Sequence, residues 1–165
     1  VGGQAYNFSE HKQNIVTTLN ELGKAITDIG LIAALHQHTG TAVETRDETY
    51  ATMEAVDTRY VKFGPDVGQL QKGGVDPAKV VKDFLPPVRH VHMKDFDGGP
   101  DYLGYCPLGK GKVDVAGLAS LLESSGHDLM IMCELDPSPN PPHTPLEAAR
   151  INKTAMAGLG YTFRS

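Results

Sequence analysis

The sequence predicts an α/β fold built from parallel strand–helix units. Four short apolar runs, at residues 31–36, 59–64, 88–93 and 129–135, alternate with stretches of helical period, which is the pattern of βαβ units. The runs are close to continuously apolar, as expected of a sheet covered on both faces. Each also ends, on its C-terminal side, in a histidine or a carboxylate.

The elements follow in order. Ser9 is placed to cap a first helix, in which Ile15, Leu19, Leu22, Ile26 and Ile29 recur at spacings of four and three before Gly30. The apolar run Leu31 to Leu35 then enters "HQHTG". Residues 45–56 form a second helical stretch, polar on most faces, and "RYVKFG" (59–64) is a strand broken by Gly64-Pro65. In "DPAKVVKDFL" (76–85) Asp76 caps a helix with Pro77 at its first position, and Pro86-Pro87 stops it. "VRHVHM" (88–93) is the third strand, and a Gly-, Asp- and Tyr-rich loop covers 95–112. Asp114 opens a helix that Gly126 closes, "LMIMCEL" (129–135) is the fourth strand, and Thr144 caps a last helix running to 160.

Composition narrows the function. With 165 residues and a net charge of −5, scattered basic residues make no nucleic-acid stripe, and no apolar run approaches the roughly 20 residues a membrane span needs. Cys106 and Cys133 are too far apart for a metal-type pair and neither require nor exclude a disulfide. The opening "VGGQAYNFSE" has neither an initiator Met nor a signal pattern and reads as the interior of a longer chain. Compartment is not legible there; a cytoplasmic location is the expectation.

The strand ends carry the chemistry. The first gives His36 and His38, the second Asp66, the third His90, His92, Lys94 and Asp95, the fourth Glu134 and Asp136. Strand alternation puts His36 with His38, His90 with His92 and Lys94, and Glu134 with Asp136 on common faces. Ionisable groups at the ends of apolar runs are costly to bury unpaired. A dication between neutral imidazoles and ionised carboxylates removes that cost. A mixed nitrogen and oxygen set suits Mn²⁺, Co²⁺, Fe²⁺ or Zn²⁺ better than Ca²⁺.

The motifs "HVHMKD", "PLGKGKVDV" and "MCELDPS", following an "HxHxGT" strand, resemble the xylose-isomerase-like sugar isomerase/epimerase family, nearest its inosose dehydratase-like branch. The resemblance implies a (βα)8 TIM barrel with one divalent metal at its mouth, Mn²⁺ first, with Co²⁺, Fe²⁺, Zn²⁺ or Mg²⁺ as alternatives. It implies ligands His36, Asp66, His92 and Glu134. Two departures stand out: His36 replaces the usual first Glu, and Gln69 replaces a frequent His. The first makes a symmetric two-carboxylate epimerisation less favourable. A full barrel needs about 250 residues, so residues 1–165 correspond to helix 4 through helix 8, the C-terminal half of a single barrel domain. Closing it calls for the other half or a second chain.

The expected activity is a metal-dependent isomerase or epimerase of a small sugar or keto-sugar, acting by proton abstraction next to a metal-bound carbonyl. Alternatives are a lyase of the same fold, an inosose dehydratase-like enzyme or 3-keto-sugar eliminase, and a non-catalytic sugar-binding subunit. Glu134 or His38 is the candidate base and Lys94 or His38 the candidate acid, with His38, Gln69, Lys94, Asp95 and Asp136 as candidate contacts to the sugar or cyclitol. Lys94 and Asp95 could equally pair with each other. "GKGK" (109–112) reads as a turn lacking full phosphate-loop spacing. His143 could reach over the mouth but reads first as a surface residue, as do His11 and His127.

Overall fold

The structure, a computed structural model, describes residues 7–163; the opening VGGQAY lies outside them. It contains α1 (Phe8–Asp28), β1 (Ala33–Leu35), α2 (Arg46–Met53), β2 (Val61–Phe63), α3 (Val67–Lys72), α4 (Pro77–Asp83), β3 (His90–Met93), β4 (Asp95–Phe96), β5 (Tyr105–Cys106), α5 (Val115–Ser124), β6 (Met130–Cys133) and α6 (Pro145–Gly158). The strand–helix alternation holds. Strands β1 and β2 pair in parallel, as do β3 and β6, and parallel bridges from Phe63 to Val88 and from Asp66 to His92 join the pairs. The order β1–β2–β3–β6 is that of half a (βα)8 barrel. Among the described residues β1 is paired only by β2 and β6 only by β3, so no closed barrel forms.

Helix starts follow their caps. Thr45 and Thr144 each make a full capping box, with Glu48 and Glu147, and Asp76 and Asp114 accept backbone N–H groups of α4 and α5. Helix α1 differs: Asn7 occupies the cap without a side-chain bond, and Ser9 lies inside the helix. Gly23 lets α1 approach β2, since a Cβ there would lie 2.9 Å from Val61. The polar look of α2 conceals a buried side with Thr49, Thr52 and Met53. An unforeseen helix, α3, begins at Asp66, whose Oδ1 accepts the Gln69 N–H at 2.9 Å.

The two faces of the sheet differ. Val61, Phe63, Val91 and Met93 are buried against helices. On the opposite face Met130 and Met132 are 64% and 45% exposed, so the expectation of cover on both faces fails for β6. The inward face of half a barrel has no facing strands to cover it. Ala34 on β1 is exposed in the same way, and His36 beyond it is partly so.

Candidate metal centre

The strand ends bring three of the four expected ligands together. His36, Asp66 and His92 can each offer one ligand atom, all within 4.8 Å of one another. Each is aimed by a specific contact. His36 Nδ1 lies 3.1 Å from the Gly64 carbonyl, so it carries the proton and leaves Nε2, 3.9 Å from Asp66 Oδ2, with a free lone pair. His92 Nδ1 donates to Glu134 Oε2, which frees its Nε2 likewise. The rings of His36 and His92 are 4.4 Å apart, and His90 stacks edge-on below His92 at 4.7 Å.

Asp66 is fully buried, and its Oδ2 makes no hydrogen bond of good geometry, although the Lys94 ammonium lies 3.2 Å away. A buried carboxylate oxygen without a well-directed hydrogen bond, beside two imidazole lone pairs, is an arrangement that a dication completes. The donor set fits a divalent metal.

Burial first, and then the neighbouring His92, hold the His36 pKa below its usual 6.5 against the pull of Asp66, which keeps it in the neutral form a metal needs. Burial raises Glu134, but hydrogen bonds from His92 and Lys94 outweigh it and hold the carboxyl below 4.5.

Glu134 stands beside this trio rather than in it. Its Oε2 meets His92, and its Oε1 lies 3.1 Å from Lys94 Nζ. Lys94 is wholly buried, ion-paired with Asp66 at 3.2 Å and donating to Asp136 at 2.8 Å. Burial lowers its pKa, but these three carboxylates more than offset that and raise it. The ammonium of Lys94, expected as a catalytic acid or substrate contact, is thus committed to three carboxylates. Asp136 is likewise turned to Lys94.

Asp95 also departs from expectation. Its carboxylate neither pairs with Lys94 nor faces the mouth. It accepts the backbone N–H groups of Phe96, Gly109, Gly111 and Val113 at 2.8–3.0 Å. The "GKGK" turn is therefore a ring of amides already filled by an internal anion. Gly111 is required there, because a Cβ would come within 2.3 Å of Asp95 Oδ1.

His38 and Gln69 do meet. Gln69 Oε1 accepts from Thr39 N and Oγ1, so its amide nitrogen faces His38 Nε2 at 2.8 Å. His38 Nδ1 then donates to the Thr39 carbonyl at 2.7 Å, a neutral ring 6.2 Å from that of His36. Gln37, passed over in the sequence, is 1% exposed and clamps the Asp66 backbone through both its amide atoms. The signal was a polar residue on the otherwise apolar face of the β1 strand. His143 is half-buried, its backbone tied to the Tyr102 hydroxyl. Burial raises Cys106 to about 12 and raises Cys133 as well, and both are free thiols outside the centre.

The sequence profile of the xylose isomerase-like TIM barrels matches residues 1–154. The chain belongs to that family. An inosose dehydratase from Clostridium botulinum (strain Alaska E43 / Type E3) is 29% identical over 151 residues, 81% of this chain and 51% of that protein. The chain thus spans about half the length of that curated relative. Among solved structures, the IOLI protein with a bound zinc atom superposes with a TM-score of 0.73 at 21% identity, over 96% of this chain and 59% of that one. A xylose isomerase-like TIM barrel protein from Mycobacterium smegmatis, in complex with magnesium, gives 0.71 at 21%, over 96% and 55%. At that identity the structural likeness establishes the fold: this chain is folded as about half of such a barrel. Among the described residues no helix is long and apolar enough to cross a membrane.

Proposed function

We propose that this chain supplies the metal-binding half of an enzyme that dehydrates a small keto-cyclitol or keto-sugar. His36, Asp66 and His92 hold one divalent ion, and Glu134 is the base beside it. The ion supplies Lewis acidity at the substrate carbonyl, which lowers the cost of removing the neighbouring proton. Three protein ligands with open positions suit that use.

The observation that carries the reading is the asymmetry of the site. Among the described residues Glu134 is the carboxylate in direct contact with the trio, through His92, and His36 occupies the strand end where an epimerase would need a second. One carboxylate suffices for elimination. Glu134 takes the proton α to the carbonyl and returns it to the departing β-hydroxyl; one C–H and one C–O bond break, a C=C bond forms, and water leaves. Its hydrogen bonds from His92 and Lys94 keep it ionised. The likeness to a protein named inosose dehydratase supports this choice over isomerisation or a non-catalytic role.

The test is incubation of the full protein with Mn²⁺ and a panel of inososes and ketoses, read by mass spectrometry. Loss of one water from a keto-cyclitol, abolished by a chelator and restored by Mn²⁺, is expected. A product of unchanged mass would replace this reading with the isomerase.

A further inference from the structure

Lys94 enters the steps just described only through its contact with Glu134, yet it is among the most completely enclosed side chains of the molecule. Its stem runs over Gly68, where a Cβ would lie 2.7 Å from Lys94 Cγ, and its ammonium sits 4.6 Å from the centroid of the Tyr105 ring. Around Nζ stand Asp136 Oδ2 at 2.8 Å, Glu134 Oε1 at 3.1 Å and Asp66 Oδ2 at 3.2 Å. These come from two strand ends, those of β2 and β6.

Three carboxylate oxygens converging on one point are what a hard dication takes as ligands. Here the point is filled by a side chain. The charges follow from that: three carboxylates and one ammonium give −3 + 1 = −2, which a single dication on the imidazole side neutralises. Asp66 Oδ2 belongs to both halves, 3.2 Å from the ammonium and 3.9 Å from His36 Nε2.

We propose that Lys94 is a positioning residue that serves as the centre's resident cation, occupying the carboxylate cage and so confining the site to one exchangeable metal ion. It holds Asp66 Oδ2 at the boundary between the ammonium and His36, and it draws Glu134 Oε1 to its own side while Glu134 Oε2 stays on His92. Without the ammonium, the cage is a second cation site. The final step, to one ion in the natural protein, rests on the metal reading above; the cage does not.

The experiment counts ions. The full protein and its Lys94→Ala and Lys94→Arg variants are dialysed against Mn²⁺, and bound metal is measured per chain, with electron paramagnetic resonance to detect two coupled Mn²⁺ ions. The alanine variant is expected to bind one ion more than the natural protein, with coupling between the ions, and the arginine variant no more than the natural one. Propylammonium, refilling the cage, should suppress the extra ion. An alanine variant that binds the same number of ions with the same dissociation constant overturns the proposal. If that variant is isolated unfolded, recovery of native circular dichroism in Mn²⁺ or propylammonium supports it, and failure to recover in either overturns it. A natural protein that binds none while the alanine variant binds one would sink the metal reading of the natural site and leave the cage standing.

Discussion

Asp95 and Glu134 are two carboxylates at strand ends with opposite fates. Asp95 is fully buried and its four donors are all backbone amides, those of Phe96, Gly109, Gly111 and Val113. Glu134 is partly open and its partners are two side chains, His92 and Lys94. Backbone amides cannot turn away without unfolding the loop, so Asp95 is committed to structure. Side-chain partners can change geometry when an ion or substrate arrives, so Glu134 keeps its chemistry. The kind of donor, more than the strand position, separates an anchor from a working group.

The sharpest test of this division falls on the trio that Glu134 serves. His92→Ala should abolish metal retention through dialysis, a loss of 100-fold or more in affinity, well beyond the roughly 10–100-fold expected of an outer partner. Far-ultraviolet circular dichroism should change little, because His92 is half-buried and its neighbours Val91 and Met93 carry the packing. Full metal load in this variant would remove His92 from the ligand set.

Glu134→Gln probes the other side of the same division. The amide keeps the shape but cannot take a proton, so turnover should fall by about 10²–10⁴-fold while one Mn²⁺ still binds. Metal loss in step with activity would make Glu134 a ligand and dissolve the contrast with the trio. Asp95→Asn gives the complementary outcome. Its amide group faces the N–H groups of Gly109 and Gly111, which lose their acceptor, so stability to urea should drop by about 2–4 kcal/mol. Metal affinity of the molecules that remain folded should stay the same.

Much of the centre was legible because strand alternation is a strict rule. Parity alone put His90, His92 and Lys94 on one face and Glu134 with Asp136 on one face, and Lys94 now joins both carboxylates. Parity says nothing about distance, which is why Lys94 read as a proton donor rather than as a clamped cation. Helix α3 was missed because Asp66 was weighed only as a ligand, although Asp66 with Gln69 three residues later is also a helix-start pattern. The role of Asp95 depends on amides 14 to 18 residues away, beyond the reach of any local pattern. Exposure of Met130 and Met132 follows from tertiary packing, since among the described residues no strand faces β6 across the sheet.

The mildest effect is on pH, and it distinguishes the imidazoles from the carboxylate. Burial holds both His36 and His90 below 6.5 in the folded protein. As pH falls below 6.5 the unfolded chain takes up protons that the folded one refuses, so metal-free stability should decline from that point until the folded imidazoles titrate. Glu134 has the opposite sense of partner: its folded pKa lies below 4.5, so its contribution is intact above 4.5 and is lost as pH drops through the folded value. Urea midpoints measured across acid pH should therefore show an earlier decline that His36→Gln reduces and a later one that Glu134→Gln reduces. In saturating Mn²⁺ the earlier decline should extend to lower pH, because an imidazole bound to metal refuses the proton altogether. A Mn²⁺-independent pH profile would mean that His36 does not bind the ion.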